Sequence, residues 1–144
     1  MGVGAAIEAL ADQVESPALE VQTWIELAFE EGRVEAGHDE ELRTAVYRIV
    51  QEALGNAIRH AHPSRVAIKV VDDGSGVRIA VCDDGRGFDP TVARGGFGLK
   101  RIRERVELFG GSLEIASAVK GGTEVRAAIP VSLRATGLSR PFRV

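Results

Sequence analysis

The sequence predicts an α+β fold: a two-layer α/β sandwich whose mixed, mostly antiparallel sheet carries its helices on one face. Three observations lead there. Strand-like segments joined by short Gly-rich turns are interspersed with amphipathic helical segments. Lys69, Arg78, Glu114, Glu124 and Arg126 alternate with apolar residues in the strand segments, which leaves one sheet face wet. Finally, 144 residues at 44% hydrophobic and 27% charged supply one ordinary core without help from metals or disulfides.

The elements follow in order. In residues 4–15, Ile7, Leu10, Ala11 and Val14 recur at helical spacing, and Ser16-Pro17 ends that helix. Val21, Thr23, Ile25 and Leu27 then alternate with Gln22, Trp24, Glu26 and Ala28 as a strand, and acidic residues 30–38 form a loop. From Asp39 to Ala61, Leu42, Ala45, Val46, Ile49, Val50, Ala53, Ala57 and Ile58 make a broad apolar helical stripe. Asp39 is its N-cap and Pro63 stops it. Strands at 65–71 and 77–83 flank a hairpin loop at 72–76, and Val66, Ile68 and Val70 match Val77, Ile79 and Val81 in pattern. Residues 84–97 show no period and read as a mobile, Gly-rich loop. Leu99, Ile102, Val106 and Leu108-Phe109 form a helix ended by Gly110-Gly111. A second hairpin joins 112–118 to 123–131 around Lys120-Gly121-Gly122. Residues 1–131 thus read as one domain. Residues 132–144, with Arg134, Arg140, Arg143 and no acidic residue, read as a flexible tail.

Composition narrows the function classes. Cys82 is the single cysteine, so no internal disulfide forms, and its neighbours Ala80 and Val81 predict a small buried strand residue rather than a reactive thiol. A net charge of −3 gives no reason to expect nucleic acid. No apolar run reaches the ~18 residues of a membrane span, and Met-Gly-Val-Gly-Ala-Ala is no secretory signal. The expectation is a cytoplasmic domain without direct membrane contact.

Three segments carry candidate chemistry. Arg48, Glu52, Asn56 and Arg59 fall on one helix face. Such a stripe is ordinarily just solvated. As a site it offers an amide oxygen to Mg²⁺, a guanidinium to phosphate and a carboxylate that can take a proton or position water. Asp83-Asp84-Gly85-Arg86-Gly87 closes an apolar strand. It reads either as an Asp-Gly turn or as a carboxylate that accepts from a purine amino group beside bare backbone. Gly95-Gly96-Phe97-Gly98-Leu99-Lys100 opens a helix, where free backbone N–H groups suit a phosphate. Lys100 and Arg101 oppose the helix dipole there, a conflict that an anion between them would remove.

Together, in this order and spacing, the segments resemble the nucleotide-binding domain of the GHKL superfamily shared by gyrase, Hsp90, sensor histidine kinases and MutL, whose fold is the Bergerat fold. The resemblance rests on Gln51-Glu52-Ala53-Leu54-Gly55-Asn56-Ala57-Ile58-Arg59-His60-Ala61, on Asp83-Asp84-Gly85-Arg86-Gly87, on Gly96-Phe97-Gly98-Leu99 and on Gly122-Thr123. It covers about residues 1–131. Tyr47-Arg48-Ile49-Val50, Arg103-Glu104-Arg105-Val106-Glu107 and Gly110-Gly111-Ser112-Leu113 make it most similar to the sensor histidine kinases that phosphorylate NarL-type response regulators.

The resemblance implies ATP and Mg²⁺ as cofactors. Asn56 would coordinate Mg²⁺, and Glu52 would act near the γ-phosphate as a base or as organiser of water and metal. Asp83 would accept from the adenine amino group, Gly85 and Gly87 would let the base approach, and Thr123 would join Asp83 in a polar contact to adenine. Gly96, Gly98 and Leu99 would hold the phosphates, with Arg59 and Lys100 as further phosphate contacts. Gly55 and Asp84 depart from the family's common residues, and Asp84 would add negative charge near the nucleotide. The phosphoacceptor would be a histidine on a separate dimerisation domain: His38 lies in an acidic loop, while the helix would hold His60 and His62 at a distance from the nucleotide. The chain alone is therefore expected to be monomeric and not to phosphorylate itself. A serine kinase of anti-sigma-factor type is the alternative within the same fold.

Overall fold

The computed structural model describes residues 2–27, 40–72, 76–87 and 99–130. Its elements run α1 (Val3–Val14), β1 (Glu20–Leu27), α2 (Glu40–Asn56), a π-helical turn (Ala57–Ala61), β2 (Arg65–Asp72), β3 (Gly76–Asp83), α3 (Leu99–Leu108), β4 (Ser112–Ser117) and β5 (Thr123–Pro130). The sheet order is β1-β2-β3-β5-β4. Only β1 and β2 are parallel, and the other three pairs are antiparallel. A parallel pair needs a long crossover, and α2 lies in it. The mixed sheet and the helix count follow the sequence pattern.

Period-two alternation turns one row of side chains from every strand toward the helices. Val66, Ile68 and Val70 on β2, Val77, Ile79 and Val81 on β3, and Val125, Ala127 and Ile129 on β5 are all buried. They meet Ile7 of α1, Leu42, Ile49 and Val50 of α2, and Ile102 and Val106 of α3 in one core. The other sheet face carries Trp24, Lys69, Arg78, Glu114 and Arg126 to solvent.

Several details depart from the sequence reading. The helix expected to be regular from 39 to 61 is α-helical only to Asn56 and then widens into the π-turn. Such insertions often mark functional positions. Asp72, expected in the hairpin loop, is the last residue of β2, faces Val77 and is fully buried. Cys82 is half-buried rather than buried, because it points away from Val81 to the open face. Leu108, counted with the apolar stripe, is 79% exposed, and only Phe109 packs against the core. Gly111 and Gly110 close α3 as expected, their N–H groups reaching Val106 O and Glu107 O at 3.0 and 2.9 Å. The Asp39 cap, loop 30–38, most of loop 84–97 and tail 132–144 lie outside the described residues.

Candidate functional site

A small cavity of about 40 Å³ opens where α2 ends, between the close of β3, the start of β5 and the first residue of α3. Asn56, His60, Asp83, Gly87, Leu99 and Thr123 line it with a floor of Val81 and Val125. Asn56 is the last α-helical residue and only 9% exposed. At this position the helix face is closed off rather than solvated, unlike the ordinary polar stripe. Its Oδ1 accepts from Arg59 Nη2 at 3.0 Å, while its Nδ2 is buried with no hydrogen-bond partner. An unsatisfied buried donor is costly, so its presence points to a partner that arrives from outside.

Asp83 ends β3 directly opposite Thr123 of β5. Its Oδ1 accepts from Gly85 N at 2.8 Å. Burial raises its pKa, the Asp84 charge adds to that, and the N–H groups of Gly85 and Thr123 oppose it. Ser117 Oγ lies 2.7 Å from Thr123 Oγ1. The two glycines have reasons internal to the fold. A Cβ on Gly85 would run into the carbonyl of Ala61, where Arg86 N also bonds at 2.9 Å. Gly87 has φ +65° and faces the Ala118 carbonyl, so no side chain fits. Gly87 nonetheless borders the cavity. Gly96 and Gly98 lie outside the described residues.

Glu52 sits one helical turn before Asn56 and is bound by two guanidinium groups. Arg101 of α3 donates from Nη2 at 2.9 Å and from Nε at 3.3 Å, and Arg59 Nη2 stands at 3.7 Å. The hydrogen bond from Arg101 is the main cause that holds the Glu52 carboxyl below its usual range, with the charges of Arg59 and Arg105 adding to it. At the α3 N-terminus Glu52 is thus an anion that faces Arg101. Lys100 stays exposed, and Arg48 turns to Gln51 at 2.8 Å.

Asp84 accepts from Ser64 N, Ser64 Oγ and Arg65 N at 2.9, 2.7 and 2.9 Å, which ties β3 to the start of β2 and keeps its charge beside Asp83. One further expectation changes. His60 was expected to be held away from the site, yet it lines the cavity beside Asn56. The four-residue spacing of Asn56 and His60 on one helix was the available signal. No local signal could have found Arg101, whose partner lies 49 residues away.

The sequence profile of the histidine kinase-, DNA gyrase B- and HSP90-like ATPases matches residues 41–133. The chain belongs to that family. As an ATPase domain it takes a nucleotide as substrate. Among curated relatives, the signal transduction histidine-protein kinase/phosphatase DegS of Brevibacillus brevis is 36% identical over 94 residues, 65% of this chain and 24% of that protein. The sensor histidine kinase MctS of Rhizobium johnstonii is 36% identical over 96 residues, 64% of this chain and 21% of its own. The chain therefore spans under a quarter of either kinase. Among solved structures, the histidine kinase domain of the Erythrobacter litoralis EL346 blue-light activated kinase superposes with a TM-score of 0.75 at 24% identity, over 97% of this chain and 66% of that one. At that identity the likeness speaks for the ATPase fold.

A larger hollow of about 520 Å³ lies on the open sheet face between Trp24, Glu26, Lys69, Arg78, Glu114 and Arg126. Size alone would favour it. Asn56, Asp83, Gly87, Leu99 and Thr123, with the unpartnered amide and the half-buried carboxylate among them, line the small cavity instead, which makes it the candidate site. Among the described residues no helix is long and apolar enough to cross a membrane.

Proposed function

We propose that this chain is the ATP-binding catalytic domain of a sensor histidine kinase of the kind that serves NarL-type response regulators. It binds Mg-ATP at the α2 cavity and donates the γ-phosphate to a histidine on a separate dimerisation domain, for relay to the regulator. One observation carries the reading: a buried Asn56 amide with no partner for its nitrogen shares a cavity with a half-buried carboxylate, Asp83. The names of both curated relatives support it.

The chemistry runs along the site. Asp83 accepts from the adenine amino group, and Thr123 lies beside it as a second polar contact. Guanine would turn a carbonyl oxygen toward the same carboxylate, so the site prefers adenine. Gly85 and Gly87 keep the turn thin beside the base. Arg59 and Lys100 meet phosphate oxygens, together with the backbone at Gly96, Gly98 and Leu99.

The donor set fits Mg²⁺. Asn56 and Glu52 place two oxygen-bearing side chains one turn apart, the hard ligands that this ion prefers beside phosphates. Among the described residues no group of three or more His, Cys, Asp or Glu side chains could hold a metal unaided. Asn56 would therefore hold the ion jointly with the nucleotide, and the ion would neutralise phosphate charge. Glu52 takes the proton of the acceptor imidazole or orients it for in-line attack. The working unit is residues 1–131, and 132–144 lie outside the described residues. It acts as a cytoplasmic monomer, with the dimer contact and the acceptor histidine on the other domain.

The test combines this chain, a histidine-kinase dimerisation domain and ATP labelled at the γ-phosphate. Acid-labile phosphate on the acceptor domain, absent when this chain is incubated alone, is the expected result. Acid-stable phosphate would replace the reading with a serine kinase, and calorimetry showing equal affinity for ATP and GTP would remove the adenine assignment.

A further inference from the structure

Glu52 and Arg101 join two helices across a gap of 49 residues. The pair lies outside the cavity that holds Asn56 and Asp83, four residues further back along α2, or roughly 6 Å at the rise of an α-helix. Arg101 donates through both Nε and Nη2, the side-on geometry suited to a carboxylate or to two oxygens of a phosphate. Its side chain is 64% exposed, and an ion pair so placed adds little to stability. It can therefore be exchanged cheaply.

The charge balance at this spot is uneven. Glu52 faces Arg101 and Arg59, and the field of Arg105 also reaches it. Lys100 stands exposed next to Arg101 on the first turn of α3, where the helix dipole already disfavours cations. Among the described residues, one carboxylate faces these cations. The excess is a standing attraction for a polyanion. A nucleotide with its base at Asp83 and its first phosphates near Asn56 would run toward Glu52, and only a third phosphate would extend that far.

Building on the proposed nucleotide reading, we propose that Arg101 is a triphosphate-binding residue, which leaves Glu52 for the terminal phosphate and so uncovers the Glu52 carboxylate. The nucleotide-free protein then keeps its base occupied by a guanidinium. A diphosphate, one phosphate short, would leave the pair intact.

Calorimetric titration of the whole chain with adenylyl imidodiphosphate and with ADP, both with Mg²⁺, tests this on binding alone. Arg101→Gln should weaken the triphosphate analogue about tenfold or more, the scale of a lost charged hydrogen bond. ADP affinity should stay within about twofold. Arg101→Lys, which retains the charge without the fork, should recover part of the loss and guards against a misfolded glutamine variant. Equal weakening of both nucleotides, or no change in either, would overturn the assignment while leaving adenine nucleotide binding intact. An unaltered chain that binds neither nucleotide would overturn the proposed function itself, and this inference with it.

Discussion

Asp83 and Thr123 face each other across the β3–β5 ladder, so a half-buried carboxylate and a hydroxyl form one wall of the cavity. Ser117 Oγ, 2.7 Å from Thr123 Oγ1, orients the hydroxyl from β4. The wall is polar on a floor of Val81 and Val125, which is the arrangement that selects one hydrogen-bonding edge of a flat ligand.

Asp83→Asn should weaken adenine nucleotide binding by about tenfold or more, because the amide can present a donor to a donor. Stability should move the other way. Burial raises the Asp83 pKa, so its charged form is disfavoured in the fold, and its contribution to stability declines as pH rises above the ordinary aspartate range. At neutral pH the uncharged variant should melt no lower than the parent. Unchanged ATP affinity in calorimetry would remove Asp83 from the site.

Asn56→Ala should abolish the Mg²⁺ dependence of nucleotide binding. The substitution deletes the amide oxygen held by Arg59 and also the unpartnered nitrogen, so the fold loses little. Titrations with and without Mg²⁺ should then coincide for the variant and differ for the parent. A parent-like Mg²⁺ response in the variant would exclude Asn56 as the metal's ligand.

Asp84→Ala should destabilise the domain by about 1 kcal/mol, since three hydrogen bonds from Ser64 and Arg65 are lost at an exposed site where solvent competes. Those bonds, led by the Ser64 hydroxyl, lower the Asp84 pKa. A lowered acid contributes stability above its ordinary pKa and loses it as pH falls through the folded value. Urea melts of parent and variant should therefore differ at pH 7 and converge below about pH 4, near the ordinary aspartate pKa. A constant difference down to pH 2 would contradict this.

Cys82 should resist alkylation. Burial and then the neighbouring Glu124 carboxylate push its pKa up to about 11 from 9.0. Two pH units cut the thiolate near neutrality about a hundredfold, and the thiolate is the nucleophile. Iodoacetamide labelling at pH 8 should proceed about a hundredfold slower than for free cysteine. A fast single-site reaction would show that the thiol is not held as described.

Much of the fold was legible because its signals are local. Alternation at Val66, Ile68 and Val70 marks a strand wherever that strand lies, and the α2 stripe from Leu42 to Ala53 marks a helix before any partner is known. The motif residues were legible for the same reason, as Asn56 and Asp83 are each named by their immediate neighbours. The π-turn was not. The spacing of Ala57 and Ile58 suits an α-helix, and the backbone widens only where Ala61 meets Gly85 and Arg86 of another element.

From the sequence alone came the α+β class, the wet and dry faces of each strand, and the family's residue types in order. Each of these depends on periodicity or on adjacent residues. The tertiary structure decided who meets whom. It gave Arg101 to Glu52 and Ser64 to Asp84, buried the end of β2 at Asp72, and brought His60 to the cavity. Charges on distant segments carry no record of their partner, because a guanidinium can pair with any carboxylate within reach. Reach is set by where the chain's packing places the two helices and the strand ends.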